Sequence, residues 1–124
     1  MRTAVQDSGD AAETLVADRL TTSGWHIVGR NVRVGRGELD IVAIDPGPPP
    51  SLVIVEVRWR RRRDFGLPDE SLDFRKRAHL RAAIGRLLAE GLPGGVALPH
   101  HPMRVDLVVV EPGGRIRHHR HIPL

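Results

Sequence analysis

The sequence predicts a single α/β domain in which a mixed β-sheet is flanked by helices in the order αβββαββ. The chain has 124 residues, enough for one domain that buries roughly two thirds of its unfolded surface. Residues 52–59 are apolar at odd and even positions, as in a central strand that is covered on both faces. Two stretches with helical spacing of apolar residues are separated by strand-like runs, which favours an α/β arrangement.

The two helices are predicted from that spacing and from their end signals. After a frayed lead-in over residues 1–9, the first helix is expected to begin at Asp10 and to stop before Gly24. The second is expected to begin within residues 69–71 and to run to Glu90, ahead of a glycine-rich stop. Its inward stripe would comprise Leu72, Lys76, Leu80, Ala83, Ile84, Leu87 and Leu88.

The strands are predicted as a hairpin, a central strand and a closing pair. Residues 25–34 and 38–44 flank the short turn at Gly35-Arg36-Gly37, which indicates a β-hairpin. The proline-rich stretch 46–50 cannot continue a ladder and is expected to be a loop. The remaining strands are expected at residues 52–59, 103–110 and 115–122.

Composition limits the classes of function. The net charge is +4 and the sequence pI is about 11.1, which is compatible with a polyanionic partner. Without cysteine there is neither a disulfide nor a thiolate metal site, so a metal would be held by oxygen or histidine ligands. The first twenty residues are acidic and no apolar run is long enough to span a bilayer, so we expect no signal peptide, no membrane partner and a cytoplasmic location.

Asp40 and Glu56 are carboxylates within apolar strands, where desolvation of a charge is costly. Even positions of a strand share a face, so Asp40 would lie beside Val42 and Ile44, and Glu56 beside Arg58. If the strands pair so that Asp40 neighbours Glu56, the two carboxylates can hold Mg²⁺ or Mn²⁺ against a phosphate. The alternative is that both acids pair with arginines at strand ends.

A series of short motifs resembles the YraN family of small bacterial proteins over nearly the whole chain. Its most specific parts are Gly37-Glu38-Leu39-Asp40 and Val55-Glu56-Val57-Arg58, and the others are Gly9, Glu13, Gly24, residues 30–33, Phe65-Gly66, Lys76 and residues 104–106. That family resembles the restriction-endonuclease-like fold of PD-(D/E)xK nucleases, including archaeal Holliday-junction resolvases. The resemblance implies that Glu13, Asp40 and Glu56 bind the metal and that position 58 is the motif lysine.

Arg58 stands at that lysine position, and arginine stays charged, so it can clamp a phosphate but cannot accept a proton. Lys76, the only lysine, matches a family lysine and is a candidate second active-site cation; the alternative is that it snorkels to solvent. Glu13 has an alternative too, because Asp10 and Glu13 have the spacing of a capping box. The predicted catalytic set is therefore Asp40, Glu56, Arg58 and Lys76.

Basic residues outside this set indicate a nucleic-acid partner. The run Arg60, Arg61, Arg62 and Arg63 is either a solvated loop or a phosphate-binding segment, which Arg33 and Arg36 would extend. Few aromatic residues are available to stack on bases, so duplex or branched DNA gripped by its backbone is favoured. The sequence leaves open whether the DNA is cleaved or only bound, and whether the protein is a homodimer.

The histidines and one charged pair are given structural interpretations. The histidines at positions 100, 101, 118, 119 and 121 match no zinc motif and are expected to be exposed. Arg104 and Asp106 share one face of their strand and are expected to form a structural ion pair.

Overall fold

The computed structural model describes residues 4–60 and 72–124, and the side chains of residues 9–60 and 72–124. The elements follow the predicted order: α1 (Ala4–Thr22), β1 (His26–Val34), β2 (Gly37–Asp45), β3 (Ser51–Trp59), α2 (Phe74–Glu90), β4 (Met103–Val110) and β5 (Ile116–His119). In this part of the chain the fold is a mixed α/β arrangement of two helices and an open five-stranded sheet. None of the helices in these ranges is both long and apolar enough to cross a membrane.

Helix α1 begins earlier than predicted. It starts at Ala4, so Asp10 lies inside the helix and cannot cap its start. The capping-box alternative for Asp10 and Glu13 is therefore wrong. The helix ends as expected, because Gly24 has φ +90, a conformation that glycine adopts without steric cost.

Helix α2 begins later than predicted. Asp73 is its N-cap and accepts a hydrogen bond from the Lys76 backbone N–H at 2.9 Å, so the first helical residue is Phe74. The predicted start within residues 69–71 is thus too early, and those positions lie outside the described residues. Leu88 was placed on the inward stripe but is 58% exposed, because the contact face is narrow and Leu87 fills it.

The sheet has the strand order β1-β2-β3-β4-β5, with β3 in the centre as predicted. Strands β3 and β4 are parallel, and the other neighbouring pairs are antiparallel. Helix α2 lies in the connection from β3 to β4, as a parallel pair requires a long crossover. Strand β5 is shorter than predicted and ends at His119.

The two faces of the sheet carry separate apolar cores. One core contains Ile54 and Leu107 and packs against Leu80 and Leu87 of α2. The other contains Val53, Val55 and Val108 and packs against Val16 and Leu20 of α1. Even positions of β3 therefore face α2 and odd positions face α1, which directs Glu56 and Arg58 toward α2.

The alternation of faces is interrupted in the β1–β2 hairpin. Leu39 packs in the core under α2 whereas Ile41 packs in the core under α1, although a regular strand would give them one face. On β1, Asn31 lies between the residues that pair with Ile41 and Leu39. Its φ of +49 is a left-handed conformation, which changes the direction of the strand. The break in alternation therefore lies between Leu39 and Ile41, and the placement of Asp40 beside Val42 and Ile44 stays a prediction.

Candidate functional site: a buried glutamate with an aspartate and two cations

Glu56 is the most buried acid of the predicted site, with 2% of its surface exposed. Its Oε1 atom lies 3.1 Å from Lys76 Nζ and 3.7 Å from Arg58 Nη2. Its Oε2 atom is buried and has no hydrogen-bond partner in the part of the chain that the structure describes. Burial, followed by repulsion from Asp40, raises the pKa of Glu56 from 4.5 to about 7, although Lys76 and Arg58 act in the opposite direction.

Asp40 is held at the point where β2 and β3 separate. The two strands pair from Asp45–Ser51 to Ile41–Val55, and the same register continued by one step would bring Asp40 level with Glu56. There the Asp40 carboxylate takes the place of a backbone acceptor, since its Oδ2 accepts a hydrogen bond from the Val57 N–H at 2.9 Å. The sheet itself therefore fixes Asp40 close enough to Glu56 for their charges to repel.

Lys76 and Arg58 bring positive charge to this pair from different elements. Lys76 lies in the first turn of α2, and its ammonium group reaches Glu56 instead of ending only in solvent, so the snorkelling alternative does not describe it. The Arg58 guanidinium lies along the same face of β3, and its Nε is buried without a hydrogen-bond partner among the described residues. Both side chains keep about a third of their surface exposed, which leaves them accessible to an anionic ligand.

Glu13 is buried but is not part of the same cluster. Its Oε1 lies 3.2 Å from Arg30 Nε, and burial raises its pKa, while Arg30 lowers it and Asp40 adds a further increase. The described residues contain no group of three or more histidine, aspartate or glutamate side chains placed to hold a metal ion. The three predicted metal ligands are therefore not brought together, although Asp40 and Glu56 are.

These two carboxylates are nevertheless a suitable ligand set for one hard cation. Mg²⁺ is commonly bound by one or two carboxylates with water and substrate phosphate completing its shell. Glu56 offers a buried oxygen that has no hydrogen-bond partner within residues 9–60 and 72–124, and the repulsion between Glu56 and Asp40 would be relieved by a divalent ion. On these grounds the pair fits Mg²⁺ or Mn²⁺, with no requirement for Glu13 as a direct ligand.

The predicted phosphate-binding arginines are separated by the fold. Arg36, in the hairpin turn, lines a cavity that Lys76 also lines, whereas Arg33 lines a different cavity near Pro93. Arg60 continues β3 by donating its backbone N–H to Val110. Arg61, Arg62 and Arg63 lie outside the described residues.

A second charged cluster around Asp106 was only partly predicted. Asp106 is fully buried and forms the expected ion pair with Arg104, at 3.0 Å from its Nε. Its Oδ2 atom also lies 2.8 Å from His118 Nε2. Burial raises the pKa of Asp106, but the hydrogen bonds from His118, Arg104 and the His121 backbone N–H outweigh burial and lower it. The expectation that His118 is an exposed histidine is wrong, because β5 places it against this acid and against Trp25.

His118 pairs opposite Val108, two residues after Asp106, and this register between β4 and β5 is what brings it to the acid. Arg104 also donates a hydrogen bond to Asp45 at 2.8 Å, so the cluster ties the end of β2 to β4 and β5. All of these charges are paired with one another, which is the pattern of a structural network.

The fold and the site together define an α/β protein with an open mixed sheet whose central strand carries a buried glutamate paired with cations. The model of the family described as "Uncharacterised protein family UPF0102" matches residues 12–110. The chain belongs to this family, which is the YraN-type family that its motifs resemble.

Relatives from distant bacteria agree with this assignment. A UPF0102 protein of Symbiobacterium thermophilum is 40% identical over 111 residues, which cover 88% of this chain and 87% of the relative. One of Dehalococcoides mccartyi is 40% identical over 106 residues, covering 86% and 81% of the two chains. One of Roseiflexus castenholzii is 42% identical over 108 residues, with the same coverage of 86% and 81%.

Proposed function

We propose that this protein is a metal-dependent endonuclease that acts on DNA phosphodiesters, built on a restriction-endonuclease-like fold. The observation that carries the proposal is Glu56, next to Asp40. It is a buried carboxylate with a raised pKa, and one of its oxygens has no hydrogen-bond partner among the residues that the structure describes. Perturbed carboxylates beside specific charge partners are typical of functional sites. The sequence motifs point to the same residues.

In this proposal, two side chains bind the metal and two others bind the phosphate. Asp40 and Glu56 would hold Mg²⁺ or Mn²⁺, which when bound supplies charge neutralisation and a water of lowered pKa. Arg58 and Lys76 would contact the non-bridging phosphate oxygens and stabilise the negative charge that develops there. Arg58 does not take up a proton, because a guanidinium remains charged.

A cleavage assay tests this proposal directly. The wild-type protein with Mn²⁺ should nick branched, duplex or single-stranded DNA, and Glu56→Gln should abolish nicking. The matched control is Glu111→Gln, since Glu111 is also buried and pairs with Arg117 at 2.8 Å, and its Oε2 also has no partner in the described part of the chain. Cleavage that persists in Glu56→Gln, or that is lost equally in Glu111→Gln, would show that the assignment is wrong.

A second candidate is a nucleic-acid-binding module that does not cleave, and the observation that favours it is arginine at position 58. Such a protein binds DNA without turnover in any metal, with a salt slope of about −0.9 per phosphate contact. The Arg58→Lys variant separates the two candidates. Cleavage gained by this variant, and absent from the wild type, would identify the wild-type site as a degenerate nuclease site.

A further inference from the structure

A cavity of about 440 Å³ lies between the hairpin turn and helix α2, next to the carboxylate site. Lys76 links the two, because it lines the cavity while its Nζ atom lies 3.1 Å from Glu56. The hairpin contributes Arg36 and Glu38, and the helix contributes His79 and Arg86. The proposed function uses only Lys76 of these residues.

The charge of this cavity is predominantly positive. Arg36, Lys76 and Arg86 bring three cations and His79 adds a further hydrogen-bonding side chain, whereas Glu38 is the single acid among the lining residues. Within the described residues, the ion pair of Arg86 is an exposed contact with Glu90 at 3.3 Å, and such pairs contribute little. Arg86 is therefore available to an anionic ligand at low cost.

The walls of the cavity are held close to one another. A Cβ atom at Gly35 would lie 2.7 Å from Nη1 of Arg86, so the guanidinium lies directly across the turn. A Cβ atom at Gly37 would lie 3.3 Å from that of Ala83, so this glycine permits the hairpin to approach the helix. Because the turn and helix are in contact, Arg36 and Arg86 belong to one binding surface on two elements.

The length of this surface suits a polymer better than a single small anion. Lys76 and Arg86 are ten positions apart on one helix, which at about 1.5 Å per residue separates them by about 15 Å. A DNA strand in a duplex advances about 3.4 Å per nucleotide along the helix axis, so a separation of about 15 Å spans more than one phosphate.

We propose that this cavity binds the DNA backbone next to the phosphate held at Glu56, so that the strand runs along α2 from Lys76 past His79 to Arg86 and the turn. The proposal rests on the proposed function, since it takes DNA as the ligand and Glu56 as the reference point. It assigns phosphate binding to Arg36 and Arg86. The phosphate contacts continue from the carboxylate site across the helix to the hairpin turn.

The test measures the salt dependence of duplex DNA binding by fluorescence anisotropy, without metal. Arg36→Ala and Arg86→Ala should each reduce the slope of log K against log salt by about 0.9, and the double variant by about 1.8. The matched control is Arg81→Ala, which removes the same charge from the exposed opposite side of α2 and should keep the wild-type slope. Arg86→Lys should also keep the slope, which separates loss of charge from loss of packing against the turn.

The possible outcomes distinguish this inference from the function on which it rests. Wild-type binding with no change of slope in Arg36→Ala and Arg86→Ala overturns the cavity assignment alone, as does an equal loss in Arg81→Ala. Absence of wild-type binding even at low salt overturns the proposed function together with the cavity. Competition by polyglutamate that weakens in the same variants as strongly as DNA binding does would replace DNA by an acidic protein as the ligand.

Discussion

Replacing Glu56 by glutamine is expected to stabilise the protein at alkaline pH, in contrast to most substitutions of a buried residue. The pKa of Glu56 is raised in the folded state from 4.5 to about 7, so the folded state binds a proton more tightly than the unfolded state does. Between these two pH values the free energy of unfolding falls with each increase in pH, because ionisation is less favourable for the buried side chain than for the unfolded chain. Glutamine stays neutral and can still accept a hydrogen bond from Lys76 through its amide oxygen.

The expected magnitude follows from the two pKa values. Each pH unit between 4.5 and about 7 lowers the free energy of unfolding by about 1.4 kcal/mol. The charged form of Glu56 therefore costs about 3 kcal/mol at a pH of about 8, and glutamine removes most of this cost. The free energy of unfolding of a domain is usually roughly 5–15 kcal/mol, so this cost is a large fraction of it.

Urea unfolding of Glu56→Gln and wild-type protein at several pH values measures this effect. The variant should be the more stable protein at about pH 8, and the difference should disappear as the pH approaches 4.5. Glu111→Gln should show no such gain, because the Glu111 carboxylate lies 2.8 Å from Arg117 and loses that ion pair. A Glu56→Gln variant that is less stable than the wild type at alkaline pH would refute the view that the ionised Glu56 side chain destabilises the folded protein.

Three further changes test other parts of the structure. Mn²⁺ at 100 times its dissociation constant should stabilise the wild type by about 2.7 kcal/mol but leave Glu56→Gln unchanged, and equal shifts in thermal unfolding would contradict metal binding at this pair. Gly35→Ala should cost about 1–2 kcal/mol in urea unfolding, since φ is +61 and the new Cβ meets Arg86, and unchanged stability would contradict this conformation. Asp106→Ala should cost about 3–5 kcal/mol, because it leaves Arg104 buried without its main partner. The Asp106 pKa is lowered from 3.8, so its contribution is complete above that value and is lost as the pH falls through the lower folded value; acid unfolding that is identical in the variant would contradict the pairing.

The order of elements could be predicted from the sequence because apolar periodicity and turn residues are local signals. The central position of β3 follows from a run whose apolar residues lie on both faces of the strand, and the hairpin follows from glycines on either side of Arg36. The ends of the helices were less accurate. Asp73 was not recognised as the N-cap of α2, because several acidic and hydroxyl residues precede it, and only the fold decides which one accepts the amide hydrogen bond.

The candidate site was predicted in its composition more than in its geometry. Strand parity placed Glu56 and Arg58 on one face correctly, but it did not anticipate that Leu39 and Ile41 of β2 pack on opposite faces of the sheet. The contact between Lys76 and Glu56 joins a helix to a strand twenty residues away in sequence, and only tertiary packing brings them together. The His118–Asp106 contact was missed for the same reason, because β5 is short and its alternation is weak.

The five-residue connection at positions 46–50 acts as a spacer for the site. It joins Asp45 to Ser51, which are paired, and so sets the register of the two strands. That register brings Asp40 level with Glu56 one step beyond the pair Ile41–Val55. A deletion that moved β2 by one position would place Leu39 or Ile41 opposite Glu56, with every predicted site residue still present in the sequence. The length of this loop is therefore under a constraint that its composition does not share.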